Sequence, residues 1–204
     1  MQNLAGIAVA ILIGLGTYPA LASVTLDPTD FASGTDVSTS FDGVILSTVE
    51  ASSNTIGTTI FEPLRQTSAS TAPVYAAANT FSRLTFPASW VSGSCCSLKV
   101  ALRIDFLDLA TDIAVHFLPD DIDTGLLSLF GPSDEVLADL AVESSSPFDI
   151  TYTSTGVPIA YALASYGDTG YIGRIQYEPA QQVPEPATLA LLGLAGLGFS
   201  RRKQ

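Results

Sequence analysis

From Leu98 to Phe106 every second residue is apolar: Leu98, Val100, Leu102, Ile104 and Phe106 alternate with Lys99, Ala101, Arg103 and Asp105. Successive side chains of a strand point to opposite faces, so this period demands an extended segment with one dry face and one wet face. Shorter runs of the same kind occur at 44–49, 55–61, 81–86, 112–117, 126–130, 136–142, 148–153, 159–164 and 171–177. Gly43, Pro63, Pro73, Pro87, Gly93, Pro147, Gly156, Gly167 and Gly170 punctuate them, as turn residues should. Runs at this spacing predict an all-β chain, an antiparallel β-sandwich or jelly roll. Gly131-Pro132-Ser133-Asp134-Glu135 predicts the turn of a hairpin. The alternative is a helix from Ser133 to Ala141, with Ser133 as its cap.

The two ends of the chain do not follow this pattern. Leu4 to Leu15 is uncharged and precedes Ala20 and Ala22, which fit the small-x-small site that a signal peptidase groove admits, so cleavage is expected before Ser23. Met1-Gln2-Asn3 brings no base, so either the α-amino group supplies the positive end or the true start lies upstream. A second apolar run, Thr188 to Phe199, is weakened as a helix by Gly193, Gly196 and Gly198. Either run reaches only about 18 Å as a helix, short of the ~30 Å hydrocarbon core of a bilayer. Arg201, Arg202 and Lys203 then stay on the cytoplasmic side by the positive-inside rule. The chain therefore divides into a signal peptide (1–22), a β-sandwich ectodomain (23–178), a proline-rich linker (179–186) and a short hydrophobic sorting helix with a basic tail (187–204).

Val183-Pro184-Glu185-Pro186, the apolar run and the closing bases together resemble the PEP-CTERM sorting signal, carried by exported proteins of Gram-negative bacteria that make extracellular polysaccharide. The resemblance implies handling by an exosortase, a membrane-embedded cysteine protease or transpeptidase that releases or re-attaches the ectodomain. Pro184, Glu185 and Pro186 are then residues of a substrate and not of a catalyst. Two prolines suit a protease handle, because each fixes φ and lacks an N–H, which keeps the segment out of sheet and helix. The implied partners are signal peptidase and exosortase. The implied location is the cell surface or extracellular space, with transient membrane contact through the C-terminal segment. FASGTDVSTSFDGVILS, DFLDLATDIAVHF and YIGRIQYEP also resemble, loosely, ectodomains on such proteins, the second as a central strand pair and the third as the last strand.

Residues 23–186 keep all 20 acids and five of the eight bases, a formal charge of −15. Such a surface repels nucleic acid and anionic lipid, so neither is an expected partner. Cys95-Cys96 reads as a strained vicinal disulfide, or as free or intermolecular thiols, and offers too few ligands for zinc. Asp120, Asp121 and Asp123 beside Gly125 are weak calcium candidates against the alternative of an acidic turn. Asp27, Asp30 and Glu178 are a second set, by fold analogy only. No other cofactor is expected.

His116 is the only histidine, and no G-x-S-x-G, H-E-x-x-H or glycine-rich phosphate loop occurs, so a non-catalytic protein associated with extracellular polysaccharide is expected. The alternatives are a secreted hydrolase working through two carboxylates, and a structural or adhesive matrix component. Tyr152, Tyr161, Tyr166, Tyr171, Tyr177 and Trp90 either form a sugar-stacking face or pack within the sheet, the commoner use of such rings.

Overall fold

Alternating segments pair where their dry faces can meet, and a computed structural model describes that pairing for residues 22–52, 55–56, 60–61, 64–82, 98–166 and 170–180. The first strand, β1 (Val24–Leu26), is followed by a 3-10 turn at Pro28–Asp30, where Asp27 accepts from the Thr29 N–H at 2.9 Å and Pro28 opens the turn without a wasted donor. Then come β2 (Val44–Ser52), the two-residue strands β3 (Thr55–Ile56) and β4 (Ile60–Phe61), β5 (Arg65–Ala72), β6 (Tyr75–Ala77) and β7 (Thr80–Ser82). The second half carries β8 (Leu98–Pro119), β9 (Asp123–Phe130), β10 (Val136–Ser144), β11 (Phe148–Thr153), β12 (Ile159–Tyr166) and β13 (Gly170–Pro179). No α-helix occurs among the described residues. The run at 55–61, expected as one strand, is instead two strands paired as Thr55 with Phe61 and Ile56 with Ile60.

All the ladders are antiparallel, and 11 strands share one sheet. Its organiser is β8. Along Leu98–Phe106 this strand pairs with β2, and over the same stretch β12 lies on its other side, with Ala162 opposite Ile104. Along its second half the partners change to β13 and β11, with Val115 opposite both Ile175 and Ile150. β9 and β10 extend the first limb beyond β12, while β1, β7 and β6 extend the second beyond β13.

The expected strand pair DFLDLATDIAVHF is thus a single bent strand, which corrects the sequence reading. The bend is a bulge at Leu109, a non-glycine residue at φ 58. Between the pairs Asp105–Tyr161 and Ala110–Ile159, β8 has three residues more than β12. An uneven insertion exchanges the two faces of a strand. Leu102, Ile104 and Phe106 are buried before the bulge, and Ile113, Val115 and Phe117 after it, so one strand feeds one core from both limbs. The GPSDE hairpin forms as expected: Phe130 pairs with Val136, the Gly131 N–H donates to the Glu135 carbonyl at 2.9 Å, and Asp134 takes φ 60.

The main core gathers Leu26, Phe81, Phe117, Leu127 and Tyr166, each fully buried, and each such side chain contributes on the order of 2 kcal/mol. A smaller cluster of Val49, Ala51, Leu64, Ala101, Leu126, Phe130 and Leu163 covers the opposite face of the first limb. Leu64 is fastened there by its N–H donating to Ser128 Oγ at 2.9 Å. Gly43, at φ 77, closes the joint between β2 and β13: a Cβ there would lie 2.9 Å from the Tyr177 hydroxyl, which donates to the Asp42 carbonyl at 3.1 Å.

Candidate processing end and polar groove

Among the described residues the short strand β1 pairs only with β13, the strand that ends at Pro179. Val24 lies opposite Tyr177, Thr25 opposite Gln176 and Leu26 opposite Ile175, and Gln176 Nε2 donates to Thr25 Oγ1 at 3.3 Å. β13 is held to its end. Glu178 sits opposite Asp112 and Pro179 opposite Ala110, Thr111 Oγ1 donates to the Glu178 carbonyl at 3.4 Å, and the Ala180 N–H donates to the Leu109 carbonyl at 3.2 Å. The expected cleavage point is therefore built into an ordered corner, with Ala22 and Ser23 exposed at the start of β1 beside the end of β13. Ala20, Val183, Pro184, Glu185, Pro186, Arg201, Arg202 and Lys203 lie outside the described residues, as do Cys95, Cys96 and Trp90.

Beside this corner the outer face of the second limb carries a groove of about 220 Å³. Ser23, Asp112, Thr151, Thr153, Gln176 and Glu178 line it, over Ile113 and Tyr177. Strand register sets this row, because Thr153 faces Asp112 on one side while Glu178 faces it on the other. Hydroxyls, an amide and two carboxylates lining one groove can hydrogen-bond a polyhydroxylated ligand. Further along β8, His116 Nδ1 lies 2.7 Å from Asp149 Oδ1, across the register pair His116–Asp149. His116 thus faces away from Ile113, Val115 and Phe117, as the alternation requires. Its partner 33 residues away leaves no trace in local sequence.

The opposite face of the first limb holds a stacked series of rings and cations. Tyr161 stacks on Phe130 at 4.5 Å, with Arg103 over Tyr161 at 3.9 Å and Arg65 over Phe130 at 5.3 Å. Arg103 donates to Asp105 at 2.7 Å and to Gln66 Oε1 at 2.6 Å, while Arg65 pairs with Asp139 at 3.1 Å. Burial raises the Tyr161 phenol above its ordinary range, and the neighbouring Asp134 raises it further. For Arg103, burial works to lower the pKa, but the bonds and charge of Asp105 outweigh it and the net shift is upward. These contacts satisfy one another, which makes the series a brace across β5, β8, β9 and β12.

Among the described residues the tyrosines divide between packing roles, and Tyr152 and Tyr177 also line the groove. Tyr166 and Tyr177 are in the core, Tyr161 is in the brace, and Tyr152 packs against the core from the second limb. Asp123 is buried and accepts from the Thr124 N–H at 2.6 Å, whereas Asp120 and Asp121 are exposed in the preceding bend. Asp27 is spent on Thr29, whose hydroxyl and N–H hold its carboxyl below the usual range. Among the described residues no group of three His, Cys, Asp or Glu is placed to hold a metal ion. No helix among them is long and apolar enough to cross a membrane.

With this geometry in place, the comparisons point to the chain's last segment. Residues 182–204 match the family model for the PEP-CTERM protein-sorting motif. No relative is found among the curated proteins. The chain carries the signal of an exosortase substrate, and that signal marks it for sorting to the cell surface or extracellular space.

Proposed function

We propose that this chain is an exported, exosortase-sorted and non-catalytic surface or matrix protein. In this reading its two sheet limbs close face to face as a jelly-roll sandwich, and its polar groove contacts extracellular polysaccharide. The observation that carries the reading is the sorting motif at 182–204, which begins three positions after Pro179, where β13, the last strand among the described residues, ends. The common core drawn from both limbs supports the sandwich. The row Thr153, Asp112 and Glu178 with Gln176 beside it supports a polar glycan contact, since such ligands are held by hydroxyl, amide and carboxylate groups. The membrane contact is brief and belongs to the C-terminal segment, which the sorting enzyme removes.

Mass spectrometry of the exported protein tests this reading. It is expected to find a chain that starts at Ser23 and lacks residues 187–204; an exported chain that keeps those residues overturns the sorting function.

A second reading, a secreted hydrolase, has one specific observation in its favour: Asp112 and Glu178 are cross-strand neighbours in a groove, and glycoside hydrolysis needs two carboxylates. Release of reducing sugar from a matrix polysaccharide, abolished by Glu178→Gln, selects it. Retention on a polysaccharide affinity gel without turnover selects the binding protein.

A further inference from the structure

Asp112 on β8 and Glu178 on β13 lie directly opposite each other, and both line the groove of about 220 Å³ on the second limb. Like charges placed that way repel across the ladder, so the pair costs the fold stability instead of adding to it. Neither carboxylate has a hydrogen-bond or ion-pair partner among the described residues. No lysine, arginine or histidine lines the groove, and His116, two outward positions further along β8, is already engaged with Asp149.

Register builds two rows here. Thr153, Asp112 and Glu178 form a charged row, and two residues along each strand, on the same face, Thr151, Ala114 and Gln176 form a neutral one. Ala114 is shorter than the Thr151 and Gln176 that flank it, which gives the groove its depth. Gln176 Nε2 donates to Thr25 Oγ1 at 3.3 Å, which leaves the amide oxygen to accept. Carboxylates and amide oxygens only accept, so the groove suits a ligand rich in donors. An ammonium group offers three donors and no acceptor.

We infer that the groove takes a polysaccharide bearing free amino groups, with an ammonium set between Asp112 and Glu178 and sugar hydroxyls along Thr151, Thr153 and Gln176. This rests on the polysaccharide contact just proposed and adds the chemical class of the ligand. The bound ammonium replaces a repulsion with charge-assisted hydrogen bonds, which are about twice as strong as neutral ones. N-acetylation removes the charge and adds an acceptor, and a uronate brings a further negative charge, so both fit this groove worse.

The test titrates the exported protein with glucosamine oligomers, with the same oligomers N-acetylated, and with galacturonate oligomers, at a pH where the amines are charged. The amino oligomers are expected to bind about tenfold more tightly than the other two and to raise the melting temperature. Glu178→Gln and Asp112→Asn are each expected to weaken that binding by about tenfold. Without ligand both variants should melt no lower than the parent, because a like-charge contact is gone. Glu50→Gln removes the same charge from an exposed position on β2, in the first limb, and should change the affinity by less than about twofold in 0.15 M salt. Equal losses from all three variants would mean that the oligomer answers only to the overall negative charge, and would overturn the inference. A lysine oligomer held as tightly through the same two acids overturns it too, since the hydroxyl contacts would then count for nothing. If the neutral or acidic oligomers bind as well as the amino ones, the inference falls and the polysaccharide contact stands; if no oligomer binds, it is the polysaccharide contact that fails.

Discussion

Tyr166 is fully buried, and its hydroxyl has no hydrogen-bond partner among the described residues. Its ring meets Phe117 edge to face at 5.2 Å, and a Cβ on Gly170 would come within 2.7 Å of it, so the side chain is fixed by shape and not by its polar tip. An unsatisfied buried hydroxyl costs more than a satisfied one contributes, so Tyr166→Phe is expected to stabilise the fold by about 1 kcal/mol. Tyr177→Phe discards the bond to the Asp42 carbonyl and is expected to cost about 1 kcal/mol. Thermal melts of the two variants should move in opposite directions. Burial pushes the phenols of Tyr161, Tyr166 and Tyr177 upward. A folded pKa above the unfolded value means that the folded state holds the proton more tightly. That stability is complete below about pH 10 and is lost as pH rises through the folded values. Phenolate absorbance from these three rings should therefore appear together with loss of sheet signal in circular dichroism.

At the scale of the element, β8 shows where sequence reading succeeds and where it stops. The alternation Leu98 to Phe106 places the right residues inward, but Ile113, Val115 and Phe117 follow the other parity, and a change of parity reads equally as two strands or as one strand with a bulge. Only the partners decide, and their paired residues in β12 and β13 lie 49 or more positions downstream. β5, with the sequence RQTSASTA, was invisible for a different reason: it has no apolar alternation and is held by β2 and by the Arg65 and Gln66 contacts. The bulge explanation makes a sharp claim. Deleting Leu109 should return Ile113, Val115 and Phe117 to solvent, a loss of roughly 5 kcal/mol that rivals the whole stability of a domain. Leu109→Gly keeps the residue count and suits φ 58, so it should fold within about 1 kcal/mol of the parent. Resistance to proteolysis should separate the two variants at once.

For the whole molecule the governing quantity is charge. The sorting motif was legible because it is contiguous, whereas the groove was not, because register assembles Ser23, Asp112, Thr153 and Glu178 from four distant stretches. The formal −15 of residues 23–186 was legible too, and its consequence is collective. Self-repulsion of an excess this large acts over the Debye length, about 30 Å at 0.01 M salt and about 8 Å at 0.15 M. Salt also weakens the partly exposed pairs Arg65–Asp139 and Arg103–Asp105, but such pairs contribute only about 0 to 1 kcal/mol each. Repulsion outweighs them, so the melting temperature should rise between 0.01 and 0.15 M sodium chloride, by about 2 to 4 °C for each 1 kcal/mol gained. Screening is indifferent to the identity of the cation, whereas a coordinated ion is not. Since Asp123 turns inward and no three ligands converge among the described residues, calcium and magnesium chloride at matched ionic strength should give the same melting temperature. A rise specific to calcium would show instead that the acidic bend at Asp120 and Asp121 closes around an ion, and would make the metal part of the fold.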